Sequence, residues 1–133
     1  MDDRTRKLVA ELNRASDEER MSFPEVLGAL VGAGVERYHM DLVRCERTFY
    51  MPDGAFEPVP THASPPAAQE FSASGVEAAV RVVQQGEVQY REFCGRIAQA
   101  GCVGYHVFIA GQRVVYYGRK SGQHVEYFPG AKP

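Results

Sequence analysis

The chain has no Cys-x-x-C pair, no apolar run near the ~18 residues that a membrane span requires, and no marked excess of either charge. Its three cysteines, Cys45, Cys94 and Cys102, form an odd set. A disulfide-stapled secreted domain normally carries an even one. They read as reduced thiols, which points to a cytoplasmic protein. The opening residues Met1-Asp2-Asp3-Arg4 are polar and lead into a charged helix, unlike a secretion signal. A net charge of −2 exerts no pull on a phosphate backbone, and no basic stripe with interleaved aromatics compensates, so neither nucleic acid nor membrane is expected as a partner. What is there has globular proportions: 44% hydrophobic and 24% charged residues, enough for a single domain, 1–133, that buries its own core.

An internal repeat organises the rest. Displaced by 67 positions, Ser22–Tyr50 overlies Gln89–Tyr117. The identities are Glu25/Glu92, Gly28/Gly95, Ala33/Ala100, Gly34/Gly101, Tyr38/Tyr105, His39/His106 and Tyr50/Tyr117. Seven identities stand where roughly two are expected from residue frequencies. Two copies suggest a pseudo-two-fold fold rather than a solenoid.

Local signals repeat in step. Ser22-Phe23-Pro24-Glu25 reads as a capping box opening a helix that Gly34 closes. The Phe93, Ile97, Ala100 stripe and the Gly101 stop are its counterpart. A helix precedes each: Leu8, Leu12 and Ala15 mark the first, and Val76, Val80 and Val83, after a second capping box at Ser74–Glu77, mark the other. Strands follow over Val35–Val43 and Glu46–Met51, then over Val103–Ala110 and Arg113–Gly118, with short third strands at Phe56–Val59 and Val125–Phe128. The repeats, about 4–60 and 74–129, are joined by a Pro/Ala/Ser-rich surface linker, about 58–73, expected to be partly mobile. The implied class is α+β: two layers of internally duplicated helix-helix-strand-strand units, with a mostly antiparallel sheet packed on helices.

Strand alternation then sorts the side chains. Tyr38, Met40 and Leu42, with Val103, Tyr105, Val107 and Ile109, form the helix-facing side. The other side carries Arg37, His39 and Asp41, together with His106 and Phe108. Symmetrical register adds Tyr50 and Tyr117. His39, Asp41, His106, Tyr50, Tyr117 and Arg37 are therefore the candidate ligand-binding set. The first reading is a non-enzymatic domain that binds a small molecule or a protein through this face. An alternative is a metal-assisted hydrolase or isomerase using His39, Asp41 and His106, with His124 as a further donor. A third is a structural or interaction protein whose open face forms a homodimer. The residues specify no cofactor and no catalytic motif.

Other features have plainer readings. Glu25 and Glu92 form a symmetrical carboxylate pair that capping explains. Gly28 and Gly95 suggest close helix approach at the symmetry axis. Cys94 and Cys102 read as buried small hydrophobes, and Arg119 and Lys120 as a solvated turn, with anion binding as the alternative.

Several strings are distinctive: Phe23-Pro24-Glu25-Val26, Gly34-Val35-Glu36-Arg37-Tyr38-His39, Thr48 to Gly54, Ala100 to Val107, and His124 to Pro129. They resemble the bacterial and prophage family called domain of unknown function 1398, or YdfO-like, whose members often carry the label phage envelope protein. The resemblance runs over nearly the whole chain after Ser22. It implies a compact domain, a prophage connection and no defined activity.

Overall fold

The computed structural model describes residues 1–131. Its elements run α1 (Asp3–Asp17), α2 (Phe23–Gly32), β1 (Arg37–Asp41), β2 (Glu46–Tyr50), β3 (Phe56–Pro60), α3 (Ala73–Gln84), α4 (Tyr90–Gln99), β4 (Cys102–Phe108), β5 (Arg113–Gly118) and β6 (Gln123–Tyr127). The helix-helix-strand-strand order occurs twice, each time with a third strand.

The Ser22 hydroxyl accepts from the Glu25 N–H, and the Glu25 carboxylate accepts from the Ser22 N–H. Pro24 in the first turn loses no bond there. The cap of α3 lies two residues earlier than the sequence suggested. Ser72, not Ser74, accepts from the Gly75 N–H at 3.0 Å. Gly34 (φ +79°) and Gly101 (φ +84°) close α2 and α4 in the left-handed region that favours glycine.

The strands form one six-stranded antiparallel sheet in the order β3-β2-β1-β4-β5-β6. This order is the same read from either end once β1 is equated with β4, β2 with β5 and β3 with β6. The hairpin registers also repeat: Arg37 faces Tyr50 in the first unit, and Gly104 faces Tyr117 in the second. At the central seam, His39 faces His106 directly, so the pseudo-two-fold axis passes between the two imidazoles. Three further pairs of left-handed positions recur in step: Glu19 with Gly86, Cys45 with Gln112, and Gly54 with Ser121.

Helices cover one face of the sheet. Between the layers lie Val9, Leu30, Val76 and Ile97 from the helices, and Met40, Phe49, Tyr105 and Val107 from the strands. Each large apolar side chain fully buried there contributes ~1.5–3 kcal/mol. A β-bulge between Cys102 and Gly104 puts Cys102 in this core and leaves Val103 half-buried, against simple alternation. Gly28 and Gly95 do not mark a close helix contact. A side chain at Gly28 would meet open space, and one at Gly95 only the ring of Pro65.

The linker is hydrogen-bonded rather than loose. Ala68 N–H donates to Ala98 O at 2.9 Å and Ser72 N–H to Ala100 O at 2.7 Å. The Phe71 ring sits against Gly118 and Gly122. Arg119 donates to Ala67 O, and Lys120 pairs with Glu70 at 3.1 Å. The basic turn therefore holds the linker, Arg119 through backbone carbonyls and Lys120 through an exposed ion pair.

Candidate functional site

On the face turned away from the helices, the registers lay side chains in three cross-strand rows. The first runs Phe56, Tyr50, Arg37, Phe108, Arg113, Tyr127; the central one runs Pro58, Thr48, His39, His106, Val115, Val125; the third runs Pro60, Glu46, Asp41, Gly104, Tyr117, Gln123. The internal axis keeps the central row in place and exchanges the outer two.

At the centre, His39 and His106 have ring centroids 4.3 Å apart. Tyr117 lies 5.9 Å from each ring, stacked on both, and its hydroxyl shares a hydrogen bond with His39 Nε2 at 2.6 Å. Phe108 stacks on His106 at 5.6 Å. Gly104 makes this possible: a Cβ there would come within 2.5 Å of the Tyr117 hydroxyl and 2.8 Å of Met40 O. Its counterpart in the first unit is Arg37, whose guanidinium covers the Tyr50 ring at 4.0 Å. Tyr50 is therefore held against Arg37 and Phe56, and His106 gains no tyrosine of its own. Among the described residues nothing hydrogen-bonds His106 Nδ1, which is buried.

Burial drives the His106 pKa down to about 4, and the neighbouring His39 and Arg37 push the same way. Burial also lowers the pKa of His39; Arg37 adds to this and Asp41 opposes it. Both rings are neutral at pH 7. Burial, then Asp41 and Cys102, raises the pKa of Tyr117, so its hydroxyl keeps its proton.

Of the six residues expected to converge, the structure brings together His39, His106 and Tyr117. Arg37 and Tyr50 form a neighbouring pair. Asp41 does not join the imidazoles: its Oδ1 accepts from the Val43 and Arg44 N–H groups, both at 3.0 Å, and so ties the hairpin turn. His124 pairs with Tyr116 across the strands, on the helix side, and meets Glu126 at 3.1 Å. The metal centre suggested for His39, Asp41 and His106 therefore does not assemble. Among the described residues no three His, Cys, Asp or Glu side chains converge on one point. Nor do Glu25 and Glu92 form an acid–base pair, since Glu25 caps α2 and Glu92 pairs with Arg96 at 2.7 Å. Burial raises the thiol pKa of Cys94 to about 12 and of Cys102 to about 11, which leaves both as inert hydrophobes.

A second polar cluster escaped the sequence reading. Arg47 is only 4% exposed, on the helix side of β2. It donates to Asn13 Oδ1 at 2.6 Å and to the Tyr90 hydroxyl, which in turn meets the Tyr105 hydroxyl at 2.7 Å. Its guanidinium lies over Tyr90 at 5.4 Å and Tyr38 at 5.7 Å. Burial opposes its charge, but the surroundings of Tyr90, Tyr105, Tyr38 and Asp17 outweigh that and hold it protonated. The counterpart of Arg47 in the second unit is Val114, so the repeat itself gave no warning. Only an arginine at a position where strand alternation predicts burial could have signalled it.

Fold and site together define an internally duplicated α+β protein with a histidine pair on the symmetry axis of its open sheet face. The chain belongs to the family described as Protein of unknown function (DUF1398), whose model matches residues 60–126. That stretch begins at the last residue of β3 and ends in β6, so it covers the linker and most of the second unit. A search of the curated proteins finds no match. No helix among the described residues is long and apolar enough to cross a membrane.

Proposed function

We propose that residues 1–133 act as one non-enzymatic binding domain that holds a partner, a small molecule or a protein, on the open sheet face. The observation that carries this reading is the half-buried His106 ring, which lies among stacked rings on the open face. Phe108, Tyr117 and the pair of neutral imidazoles offer flat apolar contact there. Arg37 and Asp41 supply one charge of each sign at opposite ends of the same strand. Catalysis is the weaker reading, because Asp41 spends its carboxylate on the turn and His39 Nε2 is engaged by a protonated phenol.

The test combines a thermal-shift screen over broad metabolite and peptide classes with imidazole NMR. A stabilising compound is expected to move the His106 and Tyr117 resonances, and His106→Ala is expected to lose the stabilisation. Stabilisers that leave the His39, His106 and Tyr117 signals unmoved would refute the assignment of this face.

A further inference from the structure

The open face is complementary to itself. Among its outer-row residues, Arg37 and Arg113 lie in the first row, while Asp41 and Glu46 lie in the third. Where the internal duplication would place equal residues, the face instead carries opposites: arginine against glutamate at 113 and 46, and phenylalanine against aspartate at 108 and 41. Phe56, 59% exposed, and Val125, 36% exposed, remain uncovered on the flanking strands β3 and β6.

We propose that this face is occupied by a second copy of the chain, packed sheet on sheet about a two-fold axis that lies along the central row. This rests on the reading of the face as a binding surface and names its occupant. Such an axis lays the first row of each copy on the third row of the other. Arg37 then meets Asp41 of the second copy, Arg113 lies over Tyr117, and Phe56 covers Pro60. The central row meets itself, with Thr48 on Thr48 and Val115 on Val115, and no like charges are opposed. Isologous contact requires this self-complementarity, and two sheets stacked ~10 Å apart with interdigitating side chains supply the geometry.

The chain is measured by sedimentation velocity and light scattering up to ~100 μM. The expected mass is twice the 14.8 kDa of one chain. Val115→Lys puts two cations on the axis and is expected to weaken the dimer by at least about tenfold, with near-UV circular dichroism reporting that the fold persists. Independently of that variant, Thr48→Cys is expected to cross-link to itself on mild oxidation, whereas a cysteine replacing Val43, which is 71% exposed at the hairpin turn, is not. A monomer throughout the concentration range overturns the proposal, as does a dimer that Thr48→Cys fails to cross-link or that a folded Val115→Lys leaves intact. A strict monomer whose His106 resonances still respond to a stabilising compound would remove the second copy while leaving the binding face in place.

Discussion

At the scale of single residues, the two clusters set opposite requirements. His106 is held neutral. Its pKa of about 4 in the fold lies below the 6.5 it has when exposed, so the unfolded chain binds the extra proton first as the pH falls. The stabilising contribution is complete above pH 6.5 and is lost as the pH drops from there toward about 4. The downward shift of His39 acts in the same direction. Denaturant midpoints measured between pH 7 and 4 are therefore expected to fall, and a variant with phenylalanine at both histidine positions is expected to show a shallower decline. Arg47 instead is a charge kept inside the core by phenols and an amide. Removing it leaves Asn13 Oδ1 without its donor and opens a cavity, so Arg47→Ala should cost ~3 kcal/mol or more in urea unfolding. Arg47→Met, which refills the volume, should cost distinctly less.

At the scale of elements, the two units share a backbone but differ in what surrounds it. Gly34 and Gly101 occupy the same left-handed position at the ends of α2 and α4. Around Gly34 only the Met51 side chain comes near an added Cβ, at 3.9 Å, whereas at Gly101 the added carbon would collide with the Glu70 carbonyl of the linker. Gly34→Ala should therefore cost ~1–2 kcal/mol, the penalty of a left-handed residue bearing a Cβ. Gly101→Ala should cost clearly more, because it must also displace the linker; paired thermal melts of the two variants decide the order. The helix stops, the Ser22 cap and the strand alternation were legible in the sequence, because each depends on a residue and its near neighbours. The Ser72 cap was not, because two serines compete there and the choice is made by where the linker meets α4. The bulge at Cys102 and Gly104 was hidden for a related reason: alternation assumes an unbroken ladder, and the break is fixed by Tyr117 passing over the glycine.

At the scale of the whole molecule, the duplication was the strongest signal the sequence carried, and it places the histidine pair correctly. Equal offsets imply equal strands, and joining β1 to β4 sets His39 opposite His106. Symmetry also misled wherever the halves have diverged. It paired Tyr50 with Tyr117, although Arg37 stands where the other unit has Gly104. It was silent on Arg47, whose counterpart is Val114. Asp41 was placed on the correct face, but strand periodicity records which side a residue occupies and not that a tight turn two residues later also draws on its carboxylate.

The substitution of glycine for arginine across the axis has one more consequence. Tyr117 reaches a single imidazole, so two rings of common descent no longer have the same freedom to choose which nitrogen carries hydrogen. One tautomer is tied to a phenol, while the other ring stays uncommitted and can present either a donor or a lone pair to whatever arrives.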